Sequence, residues 1–349
     1  MSRSTNGDSL GAKVLLALAT VLLMLGGTEI ALSWLHPTEY LRVPEKSPGD
    51  PFYGLLHRRS EYPDLLYELV PNQQKKFERV WIRTNSYGMR DTEPQPIDDG
   101  VPRIVVLGDS FSFGFRVAGE AAYPSVLERR LRQKPGWSSL EVLNLGVCGY
   151  NTRDEAAVLR HKGLVWQPDL IVLGYVLNDP ETDPVQPLDS YFQEPFLWQR
   201  FNLARLVAKA KHGLDLRIRG GGDYYRYLHS PTYDKWASVI AGMDEIRRLA
   251  RDVADTPVLV VIFPDKPATR HEWEDYPYAD IHRQVAELAR SEGFAVIDLL
   301  DRFSRFPART MRVRRNDPHP SVQGHDVAAA AIEEWIDTYS IPSAAASNG

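Results

Sequence analysis

Five short, β-rich apolar runs alternate with amphipathic helical stretches across the C-terminal two-thirds of the chain, and this alternation leaves few folds open. The runs are 103–107, 140–145, 169–175, 257–263 and 294–298. Each is too short for a confident helix, and each is apolar enough to be a strand covered on both faces. Helical periodicity falls between and after them, near 121–134, 152–162, 234–254, 277–292 and 321–338. Thr152 with Glu155 three residues on reads as a capping box, and Gly293 as a C-terminal stop. Strand–helix alternation with right-handed crossovers predicts an α/β three-layer sandwich, flavodoxin-like, around a five-stranded parallel sheet ordered 2-1-3-4-5.

Such a sheet has one functional edge, where the C-terminal ends of the strands meet. The first run, RIVVL, passes directly into Gly108-Asp109-Ser110. Gly108 permits a sharp turn and Asp109 is read as its brace. Ser110, exposed on that turn with backbone N–H groups around it, is a candidate nucleophile. Gly7-Asp8-Ser9-Leu10 repeats the tetrapeptide pattern, but no strand precedes it, so this copy carries no chemistry. The second run leads into Gly146-Val147-Cys148-Gly149-Tyr150-Asn151, the third into Leu177-Asn178-Asp179, and Asn316-Asp317-Pro318-His319 precedes the last helix.

Serine chemistry needs a base for the hydroxyl proton and donors for the oxyanion that develops on the acyl carbon. His319 is the candidate base, and Asp317 is expected to orient it across a tight turn held by Pro318. The backbone N–H groups of Ser110 and Gly149, with the Asn178 amide, are the candidate oxyanion hole; Gly146 is the alternative glycine. Cys148 reads as a small buried filler, His325 as structural, and His271 and His282 follow no motif.

Composition narrows the remaining classes. A net charge of −5 gives no footing for nucleic acid. The basic stretch from Lys209 to Arg219, before Gly220-Gly221-Gly222, reads as solvated loop, with an anion-binding patch as the alternative. One cysteine excludes an intrachain disulfide, and no histidine spacing suits a metal, so neither metal nor cofactor is expected.

Residues 14–35 form an apolar run of 22 residues whose one formal charge is Glu29. That length crosses a hydrocarbon core of about 30 Å as a helix. A transmembrane signal anchor is expected after the tail 1–13; the alternative is a signal peptide cleaved near Ala31-Leu32-Ser33. Flanking charges (Arg3 and Lys13 before, Arg42 and Lys46 after) discriminate orientation weakly, and both readings export the rest. The proline-rich stretch 36–101 reads as linker and small β attachment, with a strand near 79–83 and a turn at Asn85–Gly88. The domain with the candidate site is expected over 102–340, with an insertion or lid at 180–231 containing Trp198 and Tyr224-Tyr225-Arg226-Tyr227, and a tail at 341–349.

Four segments in order, GDSF at 108–111, Gly149 in GVCGYNT, Asn178 in LNDP and Asp317 with His319 in DPHP, resemble the four blocks of the SGNH (GDSL-type) hydrolases. The likeness covers about residues 79–340. It implies the flavodoxin-like fold, an acyl-serine intermediate and ester substrates. Many members of that family place the acid three residues before the histidine, where this chain has Asn316. The Asp-x-His form resembles the membrane-anchored bacterial branch of polysaccharide O-acetyl esterases and acetyltransferases. The expectation is therefore a single-pass bacterial membrane protein whose extracytoplasmic domain cleaves acetyl or short acyl esters, on a carbohydrate. An O-acyltransferase with the same triad and a non-catalytic polysaccharide-binding or assembly protein are the alternatives.

Overall fold

In the computed structural model, which describes residues 6–34, 56–97, 100–181, 201–252, 255–265, 273–315 and 317–339, the N-terminal apolar run is one continuous helix, α1 (Asn6–Trp34). Its segment Leu10–Trp34 is long and apolar enough to cross a membrane, and none of it is buried in the protein. Thr20, Thr28 and Ser33 turn their hydroxyls back onto the carbonyls of Leu16, Met24 and Ile30, so their polar atoms are satisfied within the helix. The helix begins before Val14, and Gly7–Leu10 lies in its first turns.

Two small hairpins follow. Strand β1 (His57–Arg59) pairs antiparallel with β2 (Tyr67–Leu69), and β3 (Gln74–Phe77) with β4 (Val80–Arg83). The expected turn after β4 forms because Asn85 Oδ1 accepts the N–H groups of Tyr87 and Met89, each at 3.0 Å. Leu56, Leu65, Tyr67, Leu69, Ile82 and Met89 are buried in the same cluster as one face of the central sheet. The hairpins are thus docked against that face of the sheet.

The sheet comprises β5 (Arg103–Gly108), β6 (Glu141–Asn144), β7 (Leu170–Tyr175), β8 (Val258–Ile262) and β9 (Ala295–Asp298). All neighbours are parallel, in the order β6-β5-β7-β8-β9, the 2-1-3-4-5 arrangement expected from the sequence. The helices in chain order are α2 (Ser110–Phe113), α3 (Tyr123–Leu131), α4 (Thr152–Val158), α5 (Asn202–Gly220), α6 (Tyr224–Leu228), α7 (Asp234–Asp252), α8 (Ala279–Ser291), α9 (Leu300–Phe303) and α10 (Val322–Tyr339). A final hairpin, β10 (Arg312–Arg314) with β11 (Asp317–Pro320), precedes α10.

Period-2 alternation divides the strand side chains between two cores. Val105, Leu107, Ile171, Leu173, Val260 and Ile262 pack with residues of α4, α7 and α8 such as Ala156, Met243 and Val285. Ile104, Val106, Leu170, Val172, Leu259 and Val261 pack with Leu127 and Leu131 of α3 and with Ala328 and Ile332 of α10. Full burial of such side chains contributes roughly 1.5–3 kcal/mol each, so the central strands dominate the stability of the domain.

Two local expectations need correction. The capping box lies one residue earlier than expected: Asn151 Oδ1 accepts from Arg153 and Asp154 N–H, and Asp154 Oδ2 accepts from Asn151 N–H. Thr152 and Glu155 instead face inward and are buried, because the helix presents that side to the core. The basic stretch before Gly220 is not loop but helix α5. Gly293 does close α8 in the left-handed region, at φ +82. Trp198 and His271 lie outside the described residues.

Candidate active site

The turn that presents Ser110 is built from close approaches that only glycine allows. Gly108 has φ +148, and a Cβ there would collide with the Ser112 side chain and stand 3.1 Å from the Gly174 carbonyl. Asp109 caps α2, its carboxylate accepting the Phe111 N–H at 2.8 Å, so Ser110 opens the helix. Gly114, at φ +78, ends it. Arg90, reaching in from the hairpin layer, donates to the carbonyls of Phe113 (2.8 Å), Gly114 (2.5 Å) and Val117 (2.7 Å). Burial pulls its pKa down to about 10, with Cys148 and Glu120 opposing, so the guanidinium stays charged at neutral pH.

Asp317 and His319 sit two residues apart on β11, not across a tight turn. On a strand that spacing puts both side chains on one face. Asp317 Oδ1 lies 2.5 Å from His319 Nδ1 and also accepts the His319 backbone N–H at 3.1 Å. His319 Nε2 lies 2.8 Å from Ser110 Oγ. The rings of Phe111 and Phe115 flank the imidazole, with centroids 5.2 and 4.7 Å away. Burial raises the Asp317 carboxyl, but the His319 hydrogen bonds and charge and the Arg116 charge outweigh it, leaving its pKa below the ordinary value.

Arg116, which no local sequence pattern marks, joins the same group. Its Nη1 is 2.9 Å from Asp317 Oδ2 and its Nη2 is 3.2 Å from Glu78, in the turn between β3 and β4. Glu78 also binds Arg314 at 2.5 Å, so the hairpin layer, the segment after α2 and the β10–β11 hairpin meet in one ionic chain. A left-handed backbone at Arg116, φ +65, accompanies this arrangement and is the kind of strain that collects at functional sites.

The second and third segments converge on the same edge. Val147 N–H donates to the Gly108 carbonyl at 3.1 Å. Tyr67 Oη donates to the Cys148 carbonyl and Tyr150 Oη to the Tyr67 carbonyl, at 2.9 and 2.6 Å, which fastens the Gly149 loop to the hairpin layer. The Gly146 N–H is spent on Asn144 Oδ1 at 3.0 Å, and a Cβ on Gly146 would stand 2.6 Å from Phe113 N. Gly149, at φ +81, and Ser110 keep backbone N–H groups with no acceptor among the described residues. Asn178 follows β7 and sits beside Asp109, whose carboxyl is raised by burial while Phe111 N–H, the His319 charge, the Ser110 hydroxyl and the Asn178 amide draw it down.

The other singled-out groups are structural. Cys148 is buried, and burial, then Asp109, pushes its thiol up, so it stays protonated. His325 accepts the Tyr123 N–H through Nδ1 at 3.2 Å, and His282 bridges Tyr276 and Asp298. Tyr227 is buried and Tyr224 donates to Glu181 at 2.5 Å, tying α6 to the segment after Asn178. Glu155 and Asp179 are buried with no partner for either carboxyl oxygen among the described residues; burial raises both well above the usual range, followed by the charges of Asp109 and Asp154 at Glu155 and of Glu155 and Asp109 at Asp179. No three His, Cys, Asp or Glu side chains stand together as a metal site among the described residues.

Comparison with known proteins gives a family match: the GDSL-like lipase/acylhydrolase family matches residues 106–327. Among curated proteins none matches the chain. Solved structures similar to it include the lipase/acylhydrolase from Enterococcus faecalis, at 16% identity and TM-score 0.42 over 68% of this chain and 97% of that one. A catalytic mutant of an acetylxylan esterase from Geobacillus stearothermophilus is similar at 15% identity and TM-score 0.41, over 67% and 93% of the two chains.

Proposed function

The chain belongs to the GDSL-like lipase/acylhydrolase family, and from that premise we propose a membrane-tethered serine esterase that removes acetyl or other short acyl groups from a carbohydrate. The observation that carries the reading is the linear relay from Asp317 Oδ1 through His319 to Ser110 Oγ, at 2.5 and 2.8 Å. With Nδ1–H donated to Asp317, Nε2 is left as an acceptor and takes the Ser110 proton as Oγ bonds to the acyl carbon. Negative charge moves to the former carbonyl oxygen, which the free N–H groups of Ser110 and Gly149 and the Asn178 amide are suited to receive. The ester C–O bond then breaks, and the leaving sugar oxygen takes the proton from Nε2. Water repeats the cycle on the acyl-serine: His319 removes its proton, acetate departs, and Ser110 Oγ is reprotonated.

Support for a sugar ester lies in the Asp-x-His spacing of Asp317 and His319, the form in which the chain resembles polysaccharide O-acetyl esterases and acetyltransferases. Support for tethering lies in the length and exposure of α1.

The test is acetate release from p-nitrophenyl acetate and from acetylated xylan by the full chain, beside Ser110→Ala. Release from both, lost at least about a thousandfold in the variant, is the expected result. A folded wild-type protein that releases no acetate from either ester overturns the esterase; acetyl transfer to an added oligosaccharide without acetate release moves the assignment to an acyltransferase.

A further inference from the structure

Helix α5 carries an apolar stripe that is largely uncovered among the described residues. Leu203, Val207, Leu214 and Ile218 recur at helical spacing on one face. Val207, Leu214 and Ile218 are 60%, 57% and 71% exposed, and Phe201 and Leu206 extend the patch. Five basic residues, Arg205, Lys209, Lys211, Arg217 and Arg219, accompany one acid, Asp215. At about 100° per residue, Lys211 and Arg217 fall on opposite borders of the stripe, where long basic side chains can reach outward along an apolar surface.

The rest of α5 is already committed. Gly220 packs so closely on Tyr227 that a Cβ would stand 2.7 Å from the Tyr227 Cβ. Arg219 donates to the Thr232 carbonyl at 2.6 Å and lies over the Tyr233 ring. At the other end, the backbone N–H groups of Asn202 and Leu203 donate to the two carboxylate oxygens of Glu29, at 2.6 and 2.9 Å. The charge that interrupts the apolar run of α1 is therefore the N-terminal cap of α5. Glu29 lies five residues before the end of α1, about 8 Å along its axis at 1.5 Å per residue. That is the depth at which an in-plane amphipathic helix lies, about 5–10 Å into the boundary of headgroups and acyl chains.

We propose that α5 is an interfacial helix lying on a bilayer surface of anionic lipids, its stripe in the acyl boundary and its basic borders among the headgroups. The proposal rests on reading α1 as a membrane span, and continuity between the two helices is what favours lipid as the occupant. A groove of about 800 Å³ between them, lined by Leu22, Leu25, Gly26, Phe201, Leu203 and Val207, is the place for an acyl chain. The catalytic domain is then held against the membrane at two points, so its substrate is met close to the lipid surface.

The experiment uses the full chain in phosphatidylcholine vesicles with and without phosphatidylglycerol. An environment-sensitive fluorophore is placed at Leu22→Cys, Ile218→Cys or the exposed control Arg248→Cys; Cys148 is buried and does not compete. Spin-labelled lipids serve as quenchers. Quenching at Ile218 about threefold above the Arg248 control, stronger with phosphatidylglycerol, is expected of a helix at the interface. Quenching at Leu22 with Ile218 behaving as the control overturns the proposal while the span stands. Quenching at neither overturns both. Burial of the Ile218 probe that follows protein concentration and not lipid assigns the stripe to a second copy and also overturns it. Val207→Glu/Ile218→Glu, both exposed positions, is expected to lose the membrane contact while hydrolysis of p-nitrophenyl acetate is unchanged.

Discussion

Arg116 Nη1 stands 2.9 Å from Asp317 Oδ2, the one carboxylate oxygen of Asp317 that His319 does not use. The acid of the relay is thus shared between an imidazole and a permanent cation. A guanidinium there steadies the carboxylate and opposes a positive charge on His319. Replacing Arg116 with glutamine is expected to lower kcat about tenfold with little change in KM, since the residue orients the acid and does not touch substrate. Without the cation the Asp317 carboxyl loses one of the charges that hold it below its ordinary value, so the acid limb of the rate profile moves to higher pH. A profile of kcat against pH for both proteins checks this, and an unmoved acid limb would show that Arg116 has no electrostatic part.

Asn178→Ala is expected to reduce kcat by about a hundredfold to a thousandfold with the midpoint of thermal unfolding nearly unchanged, the effect of removing one oxyanion donor. Steady-state kinetics and a melting curve separate the two readouts. Equal loss in Tm and kcat would assign Asn178 to the fold.

Gly108→Ala is expected to destabilise the domain by about 3 kcal/mol or more, because the new Cβ meets Ser112 and the backbone region is unfavourable to L side chains. Adding Ser112→Ala removes the nearest atom but leaves the Ser112 Cβ 2.8 Å from the new Cβ and the φ of +148, so rescue should be partial. Denaturant unfolding of the three proteins measures it; full rescue would mean that the Ser112 hydroxyl alone restricts the turn.

His325 carries a pH dependence of stability. Burial, then the charges of Arg90 and His319, depresses its pKa to about 3. The unfolded ring titrates near 6.5, so unfolding takes up a proton below that pH. The stability contributed by the neutral ring is complete above about 6.5 and is lost as the pH falls toward 3, amounting to about 3 kcal/mol between pH 7 and pH 4. Unfolding of wild type and His325→Gln at both pH values should show the wild-type advantage shrink by that amount on acidification. A constant difference would contradict it.

The sheet order and its five strands were readable because fully buried parallel strands are written as short β-rich apolar runs, and chain-topology rules leave few ways to connect them. Ser110, Asp317 and His319 could be picked out because each lies at a strand end or just before a helix, and parallel strands bring such ends to one edge. The capping box slipped by one residue since Asn151-x-x-Asp154 and Thr152-x-x-Glu155 are equivalent locally; which pair faces water is decided by the core. Arg90, Arg116, Glu78 and Tyr67 left no local signature, because their partners are dozens to hundreds of residues away and an ion pair has no period. Likewise, the pattern of α5 is that of any amphipathic helix. Its stripe is outward because the surfaces of α6 and the Thr232–Tyr233 turn take its other side, a choice made by contact energies between distant segments and not by the local sequence.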